Sequence, residues 1–253
     1  MPLLLTFIIL IALVCLLWLV SLACKDASIV DIFWGLGFVV VAWICYFTAQ
    51  GFTPRKFLVT TLVTIWGLRL ALYLFWRNHG KGEDYRYQAM RKRMGKSFPW
   101  VSLFAVFIFQ GVLIWLISLP IQAAQASAEP LTAFDFIGAT LWAIGLTFEA
   151  VGDWQLAAFK SDPNNKGKVM ERGLWRYTRH PNYFGDALLW WGVFCFALPN
   201  GWWTIVSPIA MTVLLLKISG VALLEKTLAK TKPQYAEYVQ RTNAFLPWFP
   251  KNV

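Results

Sequence analysis

The feature that most constrains this chain is a succession of apolar runs, each close to the length that crosses a bilayer, about 20 residues. Met1 to Ala23 is unbroken, and Ile29 to Ala49, Phe57 to Trp76, Pro99 to Ile121, Leu131 to Phe159, Asn182 to Leu198 and Trp202 to Leu224 follow it. Lipid offers no hydrogen bonds, so such runs close their own backbone bonds as helices. The pattern predicts an all-α integral membrane bundle of about seven transmembrane helices, one domain over residues 1–253. Only 14% of residues are charged and 58% are hydrophobic, against about a quarter charged in soluble domains. A cleaved signal peptide is the rival reading of the first run, with SLAC before Lys25 as its cleavage site. The run lacks a basic leader and further spans follow, so it is read as a retained helix.

Charge sets the orientation. Most Lys and Arg fall in Arg77 to Phe98, in the loop after the fifth span, and in the tail from Glu225 to Val253. In a seven-span chain these segments share one face, which the excess of cations places in the cytoplasm. The N-terminus is then outside and the C-terminus cytoplasmic. Arg55 and Lys56 fall on the opposite side. Clustering in short loops also explains the net charge of +10 without nucleic acid. Cys15, Cys24, Cys45 and Cys195 have no CxxC spacing and read as helix-packing residues.

Polar residues at the ends of the late spans carry the functional signal. Glu149, Asp153 and Lys160 fall on one helical stripe, and Asn182 and Asp186 share a face four residues apart. Arg69, Tyr73 and Arg77 form a third stripe leading to Asn78 and Lys81. Around Gly173 to Asp186 (GLWRYTRHPNYFGD) stand Arg172, Arg176, Arg179 and His180. Lysines such as Lys81, Lys96, Lys166 and Lys168 serve equally as snorkelling anchors. Acids and amides gain nothing from anionic head groups, so Asp153, Asn182 and Asp186 point to a bound polar ligand. A dinucleotide offers phosphates to Lys and Arg, and ribose hydroxyls to Asp and Asn. No GxGxxG after a strand, Walker loop, HExxH or nucleophile elbow is present. Pro181 suits the first turn of a helix, and His180 before it is biased out of one.

GLWRYTRHPNYFGD, with EAVGDWQLAAFK before it and YAEYVQRTNAFLPWFP at the end, resembles the membrane steroid 5-alpha-reductase family, and its bacterial branch in particular. DASIVDIFWGLGF and LRLALYLFWRNHGKGEDYRYQAMR extend the likeness over nearly the whole chain. RHPNY alone is also similar to isoprenylcysteine carboxyl methyltransferases and sterol reductases. The resemblance implies a seven-helix bundle in a bacterial inner membrane, holding NADPH in a cavity open to the cytosol. A lipophilic enone would enter from the membrane lipids, with no nucleic acid or protein partner. Asn78 and Lys81 match the family's Asn-x-Gly-Arg element as Asn-His-Gly-Lys. Asp153, Lys160, Tyr177, Asn182 and Asp186 match cofactor-contacting positions, and Arg179, His180 and Glu225 complete the cofactor region within 149–253. Asp31 lies near a family Glu that, with a Tyr, polarises the substrate ketone, and Tyr73 is the nearest candidate for that Tyr. The family's His and Tyr positions after the seventh helix are replaced here by LLEKTLAKTK.

These matches predict reduction of a carbon–carbon double bond conjugated to a ketone. Asp31, kept protonated by burial, would stabilise the enolate. The alternative is an S-adenosylmethionine-dependent methyltransferase of a lipid or prenylated thiol, which RHPNY, Glu225 and the YAEYV tail suit. A non-catalytic membrane protein is the third reading, and no paired interrupted helices speak for a transporter.

Overall fold

The computed structural model describes residues 2–251 apart from 219, 220, 222, 223, 226, 227, 229, 230 and 233. Part of LLEKTLAKTK and the end of the seventh expected span therefore lie outside the described residues. The regular elements among the described residues are all helices, with no strand. The chain is a multi-pass integral membrane protein. Five helical segments are long and apolar enough to cross, and a sixth is counted if a pair bent by 77° is one span.

Two compact units divide the chain. The first holds residues 1–132 and 196–204, the second 133–195 and 205–253. In the first unit, α1 (Leu3–Cys24), α2 (Ile29–Thr48) and α3 (Thr53–Asn78) are single rods. Pro54 sits in the first turn of α3, where its missing N–H costs nothing. Asp84 opens α4 (Tyr85–Met94) by accepting the Arg86 N–H, a regular N-cap. The fourth span is segmented into α5 (Phe98–Ser102), a π-turn (Leu103–Ile108), α6 (Phe109–Ile117) and α7 (Leu119–Ala126).

Gly35 and Gly67 let α2 and α3 touch backbone to backbone. A Cβ on Gly35 would lie 2.5 Å from the Gly67 carbonyl oxygen, and one on Gly67 2.6 Å from that of Gly35. At the far end, Arg55 is fully buried and donates to Ser127 Oγ (3.2 Å), Glu129 O (2.7 Å) and Pro130 O (2.8 Å). Lys56 Nζ donates to Ala49 O at 2.6 Å. Lys56 thus binds the carbonyl that the end of α2 leaves open, and Arg55 the carbonyls of the connection at Glu129 and Pro130, which gives both cations local partners.

The second unit is built on α8 (Ala133–Ser161) against α9 (Pro181–Cys195). A Cβ on Gly145 would meet the Gly185 carbonyl at 2.5 Å, and one on Gly192 the Gly138 carbonyl at 2.7 Å. The unit continues through α11 (Val206–Val213) to α12 (Tyr235–Arg241), while the short α10 (Leu198–Gly201) belongs to the first unit. With 15 residues, α9 is about 22 Å long at 1.5 Å per residue, short of a hydrocarbon core of about 30 Å.

Hydrogen bonds decide where the chain goes next. Arg179 N–H donates to Asn243 O and Trp248 N–H to Tyr177 O, both at 2.9 Å, and Thr178 Oγ1 donates to Phe245 O at 2.8 Å. The chain that enters at Pro181 therefore returns to the face it left.

Candidate functional site

In the first unit, Asp31 stands in the first turn of α2 and accepts from two residues of α4. Arg86 Nη2 donates to Oδ2 at 2.6 Å and the Tyr87 hydroxyl to Oδ1 at 2.7 Å. Both carboxyl oxygens are thus acceptors. Asp31, expected inside an apolar span, stands at a helix start beside a guanidinium.

Arg86 also reaches Asp84 through Nε at 2.9 Å, and Gln110 Nε2 lies 3.4 Å from the Tyr87 oxygen. One residue further out, Glu83 takes Arg91 through both oxygens (2.7 and 3.0 Å) and the Ala27 N–H at 2.9 Å. Burial works against both loop carboxylates. The donors outweigh it and hold Glu83 and Asp84 below the usual carboxylate range. The network pins the α1–α2 turn to the start of α4, and so fixes where Asp31 and Tyr87 meet.

Tyr73 has different company. Its ring lies under the Arg69 guanidinium at 5.4 Å and the Arg77 guanidinium at 5.8 Å. Asn78 Oδ1 accepts from Arg77 Nε at 3.2 Å, and Lys81 Nζ donates to the Arg77 carbonyl. The stripe from Arg69 to Lys81 is thus one contiguous cationic strip at the end of α3, with Lys81 exposed.

In the second unit, Asn182 Nδ2 donates to Asp153 Oδ1 at 3.0 Å, joining the start of α9 to the end of α8. Asn182 Oδ1 is buried and nothing among the described residues hydrogen-bonds it. Glu149, Asp153 and Asp186 are buried as well, while Lys160 and Tyr177 are exposed. Trp175, whose Nε1 donates to Gly152 O at 3.1 Å, and Gln155, whose Oε1 accepts the Leu174 N–H at 3.0 Å, fold the loop back onto α8.

Arg179 is held by the tail. Nε and Nη2 reach Glu225 Oε1 at 2.8 Å, and Nη1 donates to the carbonyls of Val239 (3.2 Å) and Thr242 (2.5 Å). Its guanidinium therefore closes the C-terminal end of α12. His180 Nε2 lies 3.3 Å from the same Glu225 oxygen, and its ring stacks on Tyr183 at 5.6 Å. Burial pushes His180 down to about 4, against the pull of Glu225, so the imidazole is neutral at pH 7. Arg179, His180 and Glu225 form a buried knot between the RHPNY segment and the tail.

Residues 17–242 match the model of a family described as "Protein of unknown function (DUF1295)". The chain belongs to the DUF1295 family. This DUF1295 protein is similar to an uncharacterized Schizosaccharomyces pombe protein, C594.04c, at 27% identity over 266 residues, covering 91% of this chain and 75% of that one. A shorter match, 43% identical over 59 residues, links 23% of the chain to 20% of a probable O-methyltransferase, ustE, of Ustilaginoidea virens. No solved structure matches.

Tyr87 and Arg86 escaped the sequence reading. The signal lay in Asp84-Tyr85-Arg86-Tyr87, where an N-cap acid opens a helix and sets the next tyrosine on its inner face. In a loop read as a basic connection, that cap was hidden among charges.

Proposed function

We propose that this DUF1295 protein is a membrane NADPH-dependent reductase of a carbon–carbon double bond conjugated to a ketone, acting on a steroid-like or other lipophilic substrate. The observation that carries the reading is the phenol–carboxylate pair of Tyr87 and Asp31. An enone reductase needs a donor at the carbonyl oxygen to stabilise the enolate that hydride addition creates. Tyr87 would be such a donor once its single O–H turns from Asp31 Oδ1 to the substrate carbonyl, with Gln110 Nε2 3.4 Å from its oxygen. DUF1295 is related in general to the steroid 5-alpha-reductase and isoprenylcysteine methyltransferase families, so the fold is of a kind that handles lipophilic substrates.

Asn182 supports the nucleotide assignment. Its amide nitrogen is fixed on Asp153 and its oxygen is a buried acceptor with no partner. A buried acceptor left open costs about 1–3 kcal/mol, a cost that a carboxamide N–H or a ribose hydroxyl would remove. Asp153 and Asn182 would hold those groups, and Lys160 would meet phosphate. Bound there, NADPH would supply the hydride. Arg179 and His180 would keep the tail closed over the start of α9 and make no phosphate contact. By the excess of cations in the basic segments, the NADPH-binding end would face the cytoplasm.

The partial match to a probable O-methyltransferase favours methyl transfer from S-adenosylmethionine as the second reading. The deciding assay follows NADPH absorbance at 340 nm with lipophilic enones and purified protein in lipid nanodiscs. Turnover is expected, and Tyr87→Phe should reduce it about 100-fold or more with helicity unchanged. Full activity in Tyr87→Phe would remove the acid assignment. Methylated product from S-adenosylmethionine, with no NADPH oxidation across the enone panel, would replace the reductase reading by the second.

A further inference from the structure

The last described residues run without helix along the second unit, and their backbone is fastened there. Beyond the bonds to Tyr177 and Thr178, Lys251 N–H donates to Arg241 O at 2.9 Å. The fastened strip turns Leu246, Trp248 and Phe249 outward, 66%, 69% and 76% exposed. Tyr177 packs edge-on against Phe249 at 6.0 Å. Large apolar side chains fixed together in the open mark a surface made to be covered.

The bilayer lies close by. Tyr177 stands four residues before Pro181, where the apolar α9 begins. Irregular backbone cannot enter hydrocarbon with its polar groups open, so only the side chains can go in. The strip suits that depth: Pro247 and Pro250 have no N–H, and the Trp248 N–H is already bonded to Tyr177 O. Tryptophan and tyrosine belong at the headgroup level. Exposed Arg176 and Lys251 flank the group, the charge that anionic phosphates attract.

We infer that the Leu246–Phe249 strip, with Tyr177, is an interfacial anchor that inserts its side chains among the headgroups of an anionic bilayer leaflet. Through the Arg179–Glu225 knot the anchor fixes the tail at a set depth beside the start of α9. The assignment is independent of the chemistry the protein performs.

A nitroxide label tests it, placed at Leu246→Cys in full-length protein whose four native cysteines are replaced by alanine. The protein is held in nanodiscs of phosphatidylglycerol and phosphatidylcholine, and power saturation is read with oxygen and with a water-soluble nickel chelate. The control label is Glu237→Cys on α12, and circular dichroism checks that both labelled proteins are folded. The expected result is high oxygen and several-fold lower nickel accessibility at 246 than at 237. Pure phosphatidylcholine should raise nickel accessibility at 246. Equal nickel accessibility at the two positions would overturn insertion, and so would dipolar broadening that reports a second copy on this face. Indifference to phosphatidylglycerol would overturn the anionic partner.

Discussion

At the scale of single residues, partners decide roles that positions only suggest. Asp153 and Asn182 were each legible as polar candidates at the end of one span and the start of the next, but their meeting at 3.0 Å was not. Asp31 was legible as an intramembrane acid, but its partners were not. A tyrosine 56 positions away leaves no local pattern, whereas Tyr73 had only the attraction of a nearby helix end. His180 shows the same limit, since a histidine before a proline says nothing of the glutamate 45 residues later. The folded protein takes a proton on His180 only near pH 4, against an ordinary value of 6.5. Between these the unfolded chain binds more protons, so stability falls as pH drops through that window and is fully present above about 6.5. The neighbouring charges are Glu225, which favours the proton, and Arg179, which opposes it. Thermal midpoints measured from pH 7 to pH 4 should decline, by up to about 3 kcal/mol of stability. His180→Phe should flatten the decline, and an unchanged slope would contradict the burial of a neutral ring.

Helices were the most readable level, because long apolar runs admit little else in lipid. Their contacts were less so. Gly138, Gly145 and Gly152 recur every seven residues along α8, and Gly185 and Gly192 repeat the interval on α9. Those intervals mark one small-residue seam per helix, the arrangement that lets membrane helices approach closely. The seam was visible in the residues, but polarity drew the reading to the neighbouring stripe of Glu149, Asp153 and Lys160. Because a Cβ on Gly145 would come within 2.5 Å of the Gly185 carbonyl and 2.6 Å of the Leu189 amide, the backbones must part to admit one. Gly145→Ala should cost about 1–3 kcal/mol, read as a fall in melting temperature in detergent, with Gly145→Leu worse. A neutral Gly145→Ala would mean that α8 and α9 do not touch there.

The whole molecule was harder to count than its helices. Seven apolar runs correspond to five full-length spans plus a bent pair, because α9 is too short for a full crossing and the chain turns after it. The bonds between Thr178 to Arg179 and Asn243 to Phe245 still bring the tail back to the RHPNY loop. The central claim is that the acids and amides at this end of α8 and α9 hold NADPH, and equilibrium titration of the protein in nanodiscs tests it most directly. Saturable NADPH binding is predicted, weakened about tenfold or more in Asn182→Ala by loss of a buried hydrogen bond, with S-adenosylmethionine failing to compete. Binding of S-adenosylmethionine without NADPH, or NADPH affinity unchanged in Asn182→Ala, would contradict it.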